Sequence, residues 1–156
     1  MTPREFLEAV VRPNVDAFHD DISSVRHAFN AINAVDALVS HLYVWASSNA
    51  PKVIAGTKHD SAYRNRLATS NQQFGLLRDI AKAQKHVRLT QGNPTIGHFD
   101  QLSSCPITYD GRARHDGEFT YGPQMVVESN GTIASVKGIV DDALNFLEAE
   151  LSSSGA

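Results

Sequence analysis

The stretch Asp21-Ile-Ser-Ser-Val-Arg-His-Ala-Phe-Asn-Ala-Ile-Asn-Ala-Val-Asp-Ala-Leu-Val-Ser-His-Leu-Tyr-Val-Trp-Ala-Ser-Ser-Asn49 decides the fold. Within it Ile22, Val25, Phe29, Ile32, Val35, Val39 and Leu42 recur at three- and four-residue steps. That spacing lines apolar side chains along one face of an α-helix. The stripe drifts slowly around the axis, as it does when a helix crosses its neighbours at a shallow angle in a bundle. Ala28, Ala31, Ala34 and Ala37 keep one flank small, which lets another helix approach closely. The pattern predicts a long helix over about 22–48, opened by Asp21 or Ser23.

Toward the N-terminus, Thr2-Pro3 can cap and open a helix over about 3–11, because proline suits the first helical position. Pro13 is expected to interrupt it, with Asn14 or Asp16 starting another short turn. Beyond the long helix, Ala50 to Lys58 reads as a linker. A third helix is expected over about 61–88, capped by Asp60 or Ser61 and either unbroken or jogged at Thr69-Ser70-Asn71. Gly92-Asn-Pro94 ends helical structure.

The period then changes. Ile107–Tyr109 and Glu118–Tyr121 look strand-like around the glycine-rich loop Asp110–Gly117. Met125 to Val136 reads as a hairpin around Asn130-Gly131, the pair preferred where both turn residues need positive φ. Its register sets Val127 opposite Ala134 and Met125 opposite Val136. Val136, Ile139, Val140, Ala143, Leu144, Leu147 and Leu151 form a closing helical stripe over about 137–151, with Asp141, Asp142, Glu148 and Glu150 outside. Residues 152–156 read as a disordered tail. The expectation is a single domain, 1–151, of mainly α class: a helical bundle with a small antiparallel β-sheet, about 105–136, inserted before the C-terminal helix (α+β).

A chain of 156 residues, 42% hydrophobic and 20% charged, can bury one sizeable core. A net charge of −3 argues against wholesale polyanion binding, although a local basic patch still attracts phosphate. One cysteine, Cys105, excludes an intrachain disulfide and fits a reducing compartment. The N-terminal residues carry no signal-like apolar run, and no stretch approaches the ~20 apolar residues of a membrane span. A cytoplasmic address and no membrane partner are expected. No phosphate loop, dinucleotide fingerprint or nucleophile elbow is present, and no cofactor is expected. The seven histidines show no i, i+4 pair, so no metal site is expected.

The chemistry-bearing segment is Phe74-Gly-Leu-Leu-Arg-Asp-Ile-Ala-Lys-Ala-Gln-Lys-His86. At about 100° per residue, Leu76, Leu77, Ile80, Ala83 and Val87 should face inward, while Arg78, Lys82 and Lys85 line the opposite face. Asp79 and His86 fall at the border. Three cations on one stripe repel one another, so the stripe makes most sense facing an anion or the acidic closing helix. Asp36 lies among Phe29, Ile32 and Val39 on a core-facing stripe, where a carboxylate needs a partner. Arg78, Lys82 and His86 are the expected partners. Asn30 and Asn33 on the same helix, with His41 roughly in line with Asn30, suggest hydrogen bonds across an interface. Arg112–His115 sits in a loop of the kind that often does the recognising.

The Arg78-Asp79…Lys85-His86 helix resembles that of HEPN-type proteins, small prokaryotic helical bundles with an arginine, four to six residues and a histidine near the end of a late helix. Here seven residues intervene. The likeness spans residues 22–88 by helix order. It implies nucleotide or RNA binding, with ribonuclease activity as one form of it. It implies Arg78 and His86 as catalytic residues, with Lys82, Lys85, Asp36, Asp79 and Asn30 as ligand-binding ones. The helix is also similar to that of uncharacterised bacterial proteins, which implies no activity. The alternative expectation is a non-catalytic interaction module, homodimeric, anchored by Tyr43, Trp45, Phe119 and Tyr121.

Overall fold

The computed structural model describes residues 1–86, 88–89, 94–106, 123–129 and 131–156. The expected strands at 107–109 and 118–121, the Arg112–His115 loop, the anchors Phe119 and Tyr121, Val87, Gly92, Asn93 and Asn130 lie outside the described residues.

The fold is mainly α with a small antiparallel sheet ahead of the last helix, as the periodicities imply. Thr2 and Glu5 form a reciprocal capping box that opens α1, Pro3–Phe6. A π turn over Leu7–Val11 joins it directly to α2, Arg12–Asp20. Pro13 therefore does not stop the helix, contrary to expectation. Arg12 N–H bonds the Leu7 carbonyl five residues back, and this widened turn absorbs the proline.

Ser24 caps α3, Val25–Asn49. Its Ala28, Ala31, Ile32, Val35, Leu38, Val39 and Leu42 are all fully buried, which makes it the central element. The third predicted helix is jogged: α4 runs Asp60–Ser70 and α5 runs Gln72–His86. Between them Asn71 is extended, and its side chain accepts from Phe74 N–H at 2.7 Å. The jog folds α4 back over α5. Gly75 permits the close approach, since a Cβ there would lie 3.3 Å from the Ala68 carbonyl oxygen.

The sheet runs β1 (Leu102–Pro106), β2 (Pro123–Ser129), β3 (Thr132–Ser135), in the order β1-β2-β3 and antiparallel throughout. Val127 pairs with Ala134 in the expected register. Met125 instead pairs with Ser104 of β1, because Val136 already belongs to the next helix. Met125 N–H also donates to the Ile22 carbonyl at 2.8 Å, fastening β2 to the α2–α3 turn.

Ser135 caps α6, Val136–Ser154, and all seven apolar residues of its predicted stripe are buried. α3, α5 and α6 pack on one another, and β2 and β3 lie against α6. The helix continues past the frayed end expected at Ser152. Gly155 ends it at φ 76°, and the Ala156 carbonyl accepts from Arg4 Nε at 3.2 Å, so the last residue is held against α1. No helix among the described residues is long and apolar enough to cross a membrane.

Candidate functional site

A groove of about 1150 Å³ runs along α5 between α4 and the segment that follows α5. Arg78, Asp79, Lys82 and His86, four of the residues singled out in the sequence, all line it. Arg88 joins them at the far end. Asn65, Thr69 and Gln72 make the near end neutral and polar, while Leu76, Leu89 and Pro94 supply apolar wall.

Arg78 lies on the face opposite the apolar stripe, as its spacing implies, yet it is only 9% exposed. Helical phase locates a side chain relative to its own axis, and it cannot anticipate that α4 doubles back to cover it. Arg78 Nη1 donates to Asn65 Oδ1 at 2.6 Å, a neutral partner. Burial lowers the pKa of its guanidinium, and the Arg64 charge lowers it further, while Asp36, Asp79 and Asp60 oppose the shift. A partly desolvated cation beside an uncharged acceptor interacts strongly with any anion that reaches it.

Asp79 holds the groove together. Its Oδ2 accepts from Thr95 N–H at 2.8 Å, and Oδ1 lies 3.6 Å from Lys82 Nζ. The Thr95 carbonyl in turn accepts from Ser129 Oγ at 3.0 Å, tying this wall to β2. Arg88 bridges His98 in antiparallel fashion, and Leu89 N–H donates to the Gly97 carbonyl at 2.8 Å. Gln101 Oε1 accepts from both Gly97 and His98 N–H, and its Nε2 donates to the Glu128 carbonyl. The wall opposite α5 is therefore carried by backbone pairing and by two side-chain links to the sheet. Lys82 and His86 project into the groove from α5, with His86 exposed at the helix end.

Lys85 and Asp36 lie elsewhere. They line a second cavity of about 600 Å³ with Phe29, Asn33, Ser40, Arg64 and Gln84. Asn30 is exposed and lines neither space. The ion pair expected of Asp36 is present, but its partner is Arg64 rather than Arg78, Lys82 or His86. Arg64 Nη1 donates to Asp36 Oδ1 at 2.5 Å and to the Asp36 carbonyl at 2.9 Å. Arg64 Nε donates to Asp60 Oδ2 at 3.0 Å, and Nη2 donates to Ser40 Oγ at 2.6 Å. The cause is again the jog, which brings the start of α4 over the middle of α3.

One signal for this network was present in the chain. Asp60 and Arg64 are spaced i, i+4 with the acid first, the favourable order on a helix. His59 takes the capping role expected of Asp60 or Ser61, accepting from Ala62 N–H at 3.2 Å. Arg88 and Asn65 carry no sequence signal, since each reaches the groove only through tertiary packing. Asn33 does bond across helices, donating through Nδ2 to Gln84 Oε1 at 2.7 Å.

Among the described residues no three His, Cys, Asp or Glu side chains converge as a metal-ligand set. No protein-family model matches the chain, and neither a curated protein nor a solved structure matches it.

Proposed function

We propose that the α4–α5 groove binds the phosphate of a nucleotide or of RNA. The observation that carries this reading is the convergence of Arg78, Lys82, His86 and Arg88 on one concave surface of a chain whose net charge is −3. A local basic surface on an acidic chain concentrates anions at one place instead of spreading them over the molecule. Arg78 is held rigidly by Asn65, so part of the entropy lost on gripping a phosphate is already lost in the free protein. Lys82 is mobile enough to leave Asp79 for a ligand, since the pair is 3.6 Å apart and the lysine side chain is 43% exposed. The neutral end, with Asn65, Thr69 and Gln72, suits the hydrogen-bonding groups of a sugar or base.

Binding rather than cleavage is the central claim. Arg78 and His86 stand eight residues apart on α5, roughly 12 Å along the axis, too far to act on one phosphate oxygen. His86 and Arg88 at the far end are close in sequence and could share a second phosphate. The test is fluorescence anisotropy of labelled RNA and titration with nucleotides, with cleavage followed in parallel, for wild type and Lys82→Ala/Arg88→Ala. Saturable binding that falls at least tenfold in the variant supports the reading. Absence of binding by wild type overturns it and favours the non-catalytic interaction module.

A further inference from the structure

We propose that Asp79 reads the ribose 2′-hydroxyl of the ligand, which makes the α4–α5 groove selective for ribonucleotides over deoxyribonucleotides. This rests on the phosphate reading above and adds the sugar to it. Asp79 is out of keeping with its surroundings. Among the described residues it is the one acid in a groove whose other ionised residues are Arg78, Lys82 and Arg88. A negative charge there repels the phosphate that the cations attract. The charge is not needed to hold the wall. Oδ2 accepts from Thr95 N–H at 2.8 Å, a bond that an asparagine oxygen would accept as well. Lys82 does not account for it either. Its Nζ lies 3.6 Å from Oδ1, beyond hydrogen-bond length, and an i, i+3 pair with an exposed lysine contributes little.

Oδ1 therefore accepts no hydrogen bond among the described residues, while the Asp79 side chain lines the groove and keeps 15% of its surface exposed. Because Thr95 fixes Oδ2, Oδ1 is held in one place. An ionised carboxylate accepts hydrogen bonds and gives none, so it selects a neutral donor and rejects a second anion. Its position on α5 says which donor. Asp79 follows Arg78 directly and precedes Lys82 by three residues, and those two cations are roughly 6 Å apart along the axis. Beside a phosphate gripped there, the donor that a nucleotide brings is a sugar hydroxyl. Within a strand that hydroxyl is the 2′-OH, the group that DNA lacks. Its bond to a charged acceptor is stronger than one between neutral groups. Asn65, Thr69 and Gln72, at the neutral end, are then left for the base.

The test measures fluorescence anisotropy of labelled adenosine oligomers of equal length, with ribose, deoxyribose or 2′-fluoro sugars, on the intact protein. The 2′-fluoro sugar keeps the shape of ribose but has no proton to give. Wild type should bind the ribose oligomer at least about tenfold more tightly than either of the others, the effect of one hydrogen bond to a charged acceptor. In Asp79→Asn the deoxyribose and 2′-fluoro oligomers should gain affinity, the ribose oligomer should not, and all should converge. An unchanged melting temperature separates that convergence from a collapsed wall. Equal wild-type affinity for all the oligomers overturns this inference and leaves the phosphate reading standing, whether or not the variant folds. A ribose preference that Asp79→Asn retains does the same. No binding of any oligomer overturns both.

Discussion

Arg64 reaches from α4 to Asp36 on α3, closing a 2.5 Å ion pair whose two side chains are each 13% exposed. The same guanidinium bonds Ser40 and Asp60, so one residue joins the start of α4 to the middle of α3. A buried pair of this kind gains little over an apolar substitute, yet loses heavily when one member goes.

Asp36→Ala should accordingly lower the unfolding free energy by about 3–5 kcal/mol, because Arg64 is left buried with its charge half compensated. Urea denaturation checks this. A loss below about 1 kcal/mol would mean that Asp60 alone suffices for Arg64.

Lys82→Ala and Arg88→Ala should weaken RNA binding without touching the core, both residues being partly or fully exposed. If each contacts one phosphate, each replacement lowers the slope of log affinity against log salt by about 0.7 on a single strand. Affinity measured between low and moderate salt gives the slope, and an unchanged slope would remove that residue from the contact.

Asp79→Asn keeps an oxygen for Thr95 N–H while deleting the one carboxylate that lines the groove among the described residues. Phosphate affinity should rise several-fold with little change in melting temperature. Asp79→Ala, which frees Thr95 and loosens the wall, should lose affinity instead. The two variants moving together would argue against a wall held by this bond.

His41 stacks on Phe6, with ring centroids 3.9 Å apart and planes inclined by 16°. Burial first, and then the N-terminal ammonium, lower its pKa below 6.5. The unfolded chain therefore takes up this proton more readily. Its contribution to stability is fully present above pH 6.5 and is lost as pH falls from there through the lowered value. Melting temperatures between pH 7.5 and 5 should show this loss in wild type and a flatter profile in His41→Gln.

Tyr63 is fully buried on α4, and its hydroxyl has no hydrogen-bond partner among the described residues. Burial, with help from Glu150 and opposed by Arg66, pushes its pKa up from 10.0 to about 12. Stability from this group is complete below pH 10 and disappears as pH climbs toward 12, where the unfolded chain ionises first. Tyr63→Phe should be at least as stable as wild type at pH 7, since no hydrogen bond is given up. It should also flatten the alkaline loss measured by thermal melts between pH 9 and 11.

Legibility in the sequence followed the range of the interactions involved. The stripe Val136–Leu151 was read residue by residue, because period and burial coincide when a helix lays one face on a core. The Val127–Ala134 register was equally legible, since a two-residue turn leaves no freedom in pairing. Asp36 was recognisable as a carboxylate in need of a partner, although the partner itself was not. Helical spacing sets Arg78 on the outer stripe with Lys82 and Lys85, and nothing in that spacing reveals its burial against Asn65 or the approach of Arg88.

Those outcomes have one physical origin. By itself the sequence determined where the chain turns helical, where it pairs as a hairpin, and which faces are apolar. Each of these is a local property, set by side-chain spacing and by backbone preferences within a turn or two. Only the tertiary structure decided that Asn71 breaks the third helix and sends α4 back over α5. That single reversal buries Arg78 under Asn65, delivers Arg64 to Asp36, and separates Lys82 and Lys85 into two different cavities. Such pairings join residues 13 and 28 positions apart, and their energy exists only once the core has brought the helices together.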